Sequence, residues 1–355
     1  MNENKVDIGV LEKKESWLLH PRFFPSKVGG KPSWLDLQNL PNQSSLNCKS
    51  CNDPMVFLIQ VYAPYEESDH CFHRTIFIFV CRNGSCCKVN SSDNFLVLRC
   101  QLPRRNDFYA FEPYEETKDE IFPMDLWPKL CNVCGLKGPS HCSKCKKAYY
   151  CSRKHQILDW QKGHKELCQT LQTGNDDKAY LNNFMVTEAG KSVLFDEWEL
   201  VVDEEDEEEA VNVNESQEIE KLNKLMQEKK AGTLSNVSES EIEQYAGSTP
   251  KDKIFNKFSK RIARHPEQVL RYDRGGVPLW ITAMSENLEI PNCQYCNGER
   301  HFEFQVMPQL LNFINVGLDF NSIDWGILAI YTCKASCNSG IAYKEEYIIK
   351  QDLNN

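Results

Sequence analysis

Cysteine pairs decide what this chain can become. Its 355 residues include 17 cysteines, and most of these stand two by two with short gaps between them. A gap of two residues lets two thiolates face one ion from a tight turn, which is what zinc chelation needs. Disulfides need an oxidising compartment instead. Met1 to Val10 carry Glu3 and Asp7 and no apolar run, so the start does not read as a signal peptide. The longest clean apolar stretch near the C-terminus, Trp325 to Tyr331, is too short to span a bilayer. The expected setting is cytosolic or nuclear, where thiols stay reduced and such pairs serve as metal ligands.

The densest region reads Cys131-x2-Cys134, Cys142-x2-Cys145, Cys151-x3-His155 and His164-x3-Cys168, four ligand pairs within 38 residues. Zn²⁺ takes four tetrahedral nitrogen or sulfur ligands. The x3 gaps suit helices, since residues i and i+4 share a face. Cys151–His155 and His164–Cys168 are therefore expected on two short helices, with Leu158 and Trp160 between them as a small apolar core. His141 is off this pattern and reads as surface. Residues 128–170 form this compact unit, with nine basic residues from Lys129 to Cys168 against Asp159 and Glu166.

A second pattern flanks the first. Gly29-Gly30-Lys31-Pro32-Ser33-Trp34 matches Gly275-Gly276-Val277-Pro278-Leu279-Trp280. Fourteen residues after Trp34 comes Cys48, paired with Cys51; thirteen after Trp280 comes Cys293, paired with Cys296. Gln-Val follows in both copies, at Gln60-Val61 and Gln305-Val306, and then an apolar strand runs into another pair. These pairs are Cys81 with Cys86 or Cys87, and Cys333 with Cys337. Five features in the same order indicate a duplicated β-rich lobe. Each lobe carries a four-cysteine, zinc-ribbon-like site: Cys48, Cys51, Cys81 and Cys86 in one, Cys293, Cys296, Cys333 and Cys337 in the other. Buried apolar thiols are the plainer alternative, and recurrence in both copies favours metal. Cys71 and Cys100 fit no quartet and read as core. The glycine pairs read as turns with positive φ or as close backbone approaches.

The expected fold class is α+β, with residues 1–127 and 251–355 as the two lobes. Strand-like runs fall at Val56–Tyr62 and Thr75–Val80, and near His301–Val306, Gly326–Tyr331 and Ala342–Ile349. Residues 171–250 read as an acidic, disordered linker, with ten acidic and no basic residues from Asp196 to Glu209. A marginal helix is conceivable at Gln217–Lys229. Beyond Lys251, Ile254, Phe255, Phe258 and Ile262 recur at helical spacing, and Pro266 suits the first turn of a second short helix.

The central unit resembles the MYND zinc finger, whose ligand pairs interleave. On that resemblance Cys131, Cys134, Cys151 and His155 hold one zinc, and Cys142, Cys145, His164 and Cys168 hold another. His155 stands where this finger usually has cysteine. The likeness goes further. Phe24-Pro25-Ser26-Lys27-Val28-Gly29-Gly30-Lys31-Pro32, Gln60-Val61-Tyr62-Ala63-Pro64 and Gln101-Leu102-Pro103-Arg104-Arg105-Asn106-Asp107-Phe108-Tyr109 resemble the programmed cell death protein 2 family. So do Gln305-Val306-Met307-Pro308-Gln309-Leu310-Leu311 and Ser322-Ile323-Asp324-Trp325-Gly326-Ile327-Leu328-Ala329. The resemblance implies a dedicated chaperone for a newly made small-subunit ribosomal protein, the eukaryotic counterpart of bacterial S-five. It also implies links to ribosome biogenesis, cell proliferation, stem-cell maintenance and apoptosis.

Net charge is −10, which disfavours nucleic acid and acidic membranes as main partners and suits a basic ribosomal protein client. The rival reading is a MYND adaptor recruiting transcriptional co-repressors. An enzyme is not expected: no cofactor loop is found, and each ligand set closes at four where a catalytic zinc keeps a position open. Zinc is thus the expected cofactor, two ions in the finger and one more in each outer lobe.

Overall fold

The structure is a computed structural model that describes residues 5–117, 128–173, 185–205, 250–284, 288–314, 316 and 322–353. Before the central finger come β1 (Asp7–Glu12), β2 (Lys27–Val28), β3 (Val56–Tyr62), β4 (His73–Val80) and β5 (Phe95–Leu102). The finger holds β6 (Ser140–His141), β7 (Tyr149–Tyr150), α1 (Arg153–Asp159) and α2 (Lys165–Thr173). After it come α3 (Glu188–Lys191), β8 (Trp198–Glu204), α4 (Pro250–Arg264), β9 (Leu270–Tyr272), β10 (Arg300–Val306), β11 (Ile327–Cys333) and β12 (Lys344–Gln351).

Ten of these strands close into one antiparallel barrel in the order β1-β8-β2-β3-β4-β5-β12-β11-β10-β9. The two regions expected as separate lobes are therefore two arcs of one barrel. They meet where β12 pairs with β5 and where β1 pairs with β9. β4 shows why strands form here: His-Arg-Thr-Ile-Phe-Ile-Phe-Val is rich in β-branched and aromatic residues, and every position is buried. One face looks into the barrel and the other lies under covering segments, so no apolar–polar alternation is seen.

The two arcs share several local features. The β3–β4 ladder shifts register between Phe57 and Ile59, and the β10–β11 ladder shifts between Phe302 and Phe304. The side chain of Gln60 accepts from the backbone N–H of Ser33 at 2.9 Å, and that of Gln305 accepts from Leu279 at 2.6 Å. Two ion pairs join the arcs with fully buried side chains. Arg74 on β4 holds Glu303 on β10, which also takes the Tyr272 hydroxyl at 3.0 Å. Arg99 on β5 reaches Glu346 on β12 at 2.7 Å. β4 and β10 are not neighbours, so the first pair crosses the barrel interior.

Two expectations need correction, and one cannot be compared. Strand β8 falls inside the stretch read as linker: its Trp198, Leu200 and Val202 alternate with Glu199, Val201 and Asp203, and it pairs with β1 from Asp7↔Glu204 to Glu12↔Glu199. Residues 206–249, including Gln217–Lys229, lie outside the described residues. Pro266 sits in a turn after α4 rather than opening a second helix. α4 itself follows the expected spacing, burying Phe255, Phe258 and Ile262 against Ile281, Met307 and Ile327. Among the described residues, no helix is long and apolar enough to cross a membrane.

Candidate metal centres

Every Cys-x2-Cys pair is held in the same turn. The residue after the second cysteine has positive φ: Asn52 (59°), Gly135 (72°), Lys146 (57°) and Asn297 (59°). Its N–H donates to the carbonyl of the first cysteine, from Asn52 to Cys48 at 2.9 Å and from Gly135 to Cys131 at 2.9 Å. The same bond runs from Lys146 to Cys142 at 3.0 Å and from Asn297 to Cys293 at 2.7 Å. Glycine and asparagine tolerate this left-handed geometry best. The turn points both thiols of a pair to one side.

The second pair of each set arrives differently. In the barrel, Cys81 follows the end of β4 and Cys86 ends a single helical turn, Gly84–Cys86, whose entry is capped by the Asn83 side chain. Cys333 closes β11, and Cys337 lies four residues on. In the finger, Ser152 caps α1 through the His155 N–H. Gly163, at φ 149°, then breaks the helical run and sets His164.

These elements bring the donors into four groups: Cys48, Cys51, Cys81 and Cys86; Cys131, Cys134, Cys151 and His155; Cys142, Cys145, His164 and Cys168; and Cys293, Cys296, Cys333 and Cys337. Within each group all ligand atoms lie within 4.8 Å of one another. Sγ–Sγ separations include 3.6 Å for Cys51–Cys81, 3.5 Å for Cys134–Cys151, 3.8 Å for Cys142–Cys168 and 3.7 Å for Cys293–Cys337. A disulfide would need about 2.0 Å, while a tetrahedron with metal–sulfur bonds of ~2.3 Å has edges of about 3.8 Å. His155 presents Nδ1 to Cys151 at 3.1 Å, and His164 presents Nε2 to Cys145 at 3.6 Å. The interleaved grouping is the one implied by the finger's resemblance.

The electrostatics of the groups favour a cation. Burial pushes the Cys81 thiol up, and the neighbouring Cys51 and Cys48 push the same way. Burial raises Cys337 to about 12, aided by Cys293 and Cys333. Burial works equally against Cys142, but the N–H groups of the Cys145 turn and His164 outweigh it and bring that thiol down to about 6. Burial opposes a charged His155, yet Cys131 and Cys151 beside it hold it up to about 10. Several thiolates side by side repel one another unless a cation sits between them. All four donor sets are compatible with zinc, and each closes at four ligands.

Cys87 leaves the first quartet to Cys86. Its Sγ lies 3.2 Å from the Asp324 carbonyl and 3.4 Å from Lys350 Nζ. Cys71 and Cys100 are buried in the core, and His141 lies on the exposed β6. Leu158 and Trp160 are only half-buried; Leu130, Val133, Leu136 and Tyr150 fill the finger's interior instead.

One pair of residues escaped the sequence reading. Trp34, fully buried, donates from Nε1 to the Gly135 carbonyl at 2.8 Å, and Lys31 lies buried against Gly135. Burial lowers Lys31 to about 8, while Cys131 and Cys134 pull it the other way. The finger is thereby seated on the first glycine motif. The signal was present in the sequence: the second copy has Val277 where the first has lysine.

Comparison with known proteins agrees with this architecture. Residues 5–116 match the N-terminal domain and residues 252–352 the C-terminal domain of programmed cell death protein 2, and residues 131–168 match the MYND finger. Programmed cell death protein 2 of Bos taurus is 42% identical over 359 residues, covering 98% of this chain and 96% of its own. Programmed cell death protein 2-like of Homo sapiens is 29% identical over 345 residues, covering 92% and 90%. The probable 20S rRNA accumulation protein 4 of Schizosaccharomyces pombe is 24% identical over 374 residues, covering 90% of both chains. No solved structure matches.

Proposed function

This chain belongs to the programmed cell death protein 2 family, and on that premise we propose that it is a non-enzymatic zinc protein that chaperones a newly made ribosomal protein of the small subunit. The client proposed is the eukaryotic counterpart of bacterial S-five, met in the cytoplasm and nucleus. In this reading the two arcs are a duplicated module, and zinc in all four donor sets is structural. The observation that carries the reading is the full-length similarity to a relative whose name ties it to 20S rRNA accumulation. A name that concerns rRNA points toward ribosome biogenesis, and donor sets that each close at four ligands among the described residues suit delivery better than chemistry.

Charge supports the same partner. At one end of β1 and β8, burial raises the Asp7 carboxyl, and Glu204, Asp203 and Asp273 raise it further. That local excess of negative charge, in a chain of net charge −10, suits a basic client and speeds its encounter. An adaptor role for the finger keeps one supporting observation: Ile157 and Leu167 on its helices are 47% and 61% exposed beside a lysine-rich surface.

Affinity purification of the tagged full-length protein, with mass spectrometry of bound proteins and nascent chains, tests the reading. Enrichment of one basic small-subunit ribosomal protein is expected. Recovery of co-repressors without ribosomal proteins would replace the chaperone reading with the adaptor.

A further inference from the structure

The four donor sets differ in what can reach them. Every cysteine of the finger is buried, and in the first outer set Cys48, Cys81 and Cys86 are buried with Cys51 half-buried. The second outer set is different: Cys296 is the one exposed thiol among the chain's 17 cysteines. Cys333, buried at the end of β11, holds its Sγ 3.6 Å from that of Cys296.

The same set sits at the seam between the two arcs. β5 and β12 pair there at Lys344↔Arg99, Glu345↔Leu98 and Glu346↔Val97. The first arc takes a further hold on the loop from Cys333 to Cys337. Arg99 donates to the Cys337 carbonyl at 3.3 Å and lies 3.8 Å from its sulfur, and the Gln101 side chain donates to the Ser336 carbonyl at 2.9 Å. At the other end of the loop Glu346, the buried partner of Arg99, accepts from the Cys333 N–H at 3.1 Å. One buried ion pair thus touches two of the four donors, so a displacement of either acts on the seam.

Oxidation of a thiol follows its thiolate character and its exposure. Metal ligation keeps sulfur as thiolate. Exposure singles out Cys296, and Cys333 lies close enough to resolve what forms there.

We propose that Cys296 is a site of oxidation by hydrogen peroxide, and that its disulfide with Cys333 dismantles this donor set and loosens the β5–β12 seam. The Cys296 thiolate attacks one peroxide oxygen; the O–O bond breaks, leaving a sulfenic acid and hydroxide. The Cys333 thiolate attacks that sulfur; the S–S bond forms, the S–O bond breaks and a second hydroxide leaves. Two protons from solvent make both hydroxides water, and the two electrons lost by the thiolates have reduced the peroxide. Closing from 3.6 Å to the ~2.0 Å of a disulfide draws Cys333 from its place, and Cys293 and Cys337 alone cannot complete a tetrahedron. The proposal rests on the zinc reading of this set.

Titration of the full-length, reduced, zinc-loaded protein with hydrogen peroxide tests it. Released zinc is followed with a chromogenic chelator, and disulfides are mapped by mass spectrometry. Expected are loss of one ion per chain ahead of the rest, a Cys296–Cys333 crosslink, and faster amide hydrogen exchange from Lys344 to Glu346. A thiol reductant with added zinc should reverse all three. The Cys296→His variant keeps four donors that zinc accepts and should lose the early release; should it not load with zinc, the crosslink map of the unaltered protein decides. Release from the finger first, an unmodified Cys296, or a loaded variant that gives up zinc as readily would overturn the proposal. A crosslink with exchange at the seam unmoved would overturn the link to the barrel. A starting zinc content that Cys293→Ser leaves unchanged would instead remove the zinc reading of this set, and the switch with it.

Discussion

Gly29 to Trp34 and Gly275 to Trp280 are the same motif in two surroundings. In the first, Gly29 and Gly30 share a φ of 64°, and an added Cβ at Gly29 would lie 2.0 Å from the Asp196 carbonyl. Lys31 is buried and Trp34 is sealed beneath the finger. In the second, an added Cβ at Gly275, φ 82°, would meet only His301 at 3.9 Å, Val277 is 78% exposed and Trp280 is half-buried. The two copies share a hydrogen bond to Gln60 and Gln305 and a positive φ at the first glycine, but Gly30 keeps a φ of 64° where Gly276 has no positive φ. The repeat does not dictate what lies on top. In the covered copy a buried lysine sits against Gly135 of the finger's first donor set, and in the other copy the same position is an exposed valine.

The contrast can be broken most forcefully through the metal. A structural zinc site contributes on the order of 10–16 kcal/mol of apparent binding energy. Cys134→Ser should unfold the finger and uncover Trp34 while the barrel persists, read as a red shift in tryptophan emission with the β signal of circular dichroism largely kept. Next in size, Trp34→Ala should cost about 3–5 kcal/mol as a buried large-to-small change, and Trp280→Ala under about 2 kcal/mol. Urea midpoints of the two variants check this, and equal losses would erase the asymmetry.

A third effect concerns what the two arcs share. Burial alone would raise the Glu303 carboxyl, but Arg74 beside it prevails and holds it down to about 2. A carboxyl lower in the folded state than in the unfolded one stabilises fully above its ordinary value of ~4.3 and loses that stabilisation as pH falls through about 2. Glu303→Gln should cost about 3–5 kcal/mol at neutral pH and remove this part of the acid dependence, measurable in denaturation across pH. Smallest of all, Val277→Lys writes the first copy's residue into the second. At an exposed position it should move stability by under about 0.5 kcal/mol, because no finger is seated there; thermal melts decide it.

The donor sets were legible in the sequence because ligand spacing is local: a tight turn or one helical turn fixes two atoms toward one point. The strands were legible where apolar runs were dense, as in Val56–Tyr62, which β3 reproduces residue for residue. Barrel closure was not, since the β5–β12 pairing joins residues such as Arg99 and Lys344 through nothing the local pattern encodes. β8 was hidden by its own charge: Glu199, Asp203 and Glu204 read as linker, though between β1 and β2 only Leu200 of this strand is fully buried. The choice between Cys86 and Cys87 also needed three dimensions, because it depends on Asp324 and Lys350 approaching from the other arc.

Elemental analysis of the purified, reduced protein bears most directly on the claim that one turn, built four times, makes four structural zinc sites. Four zinc ions per chain are expected, falling to three in Cys293→Ser with the finger intact. Two ions per chain, both lost with the finger's cysteines, would contradict it.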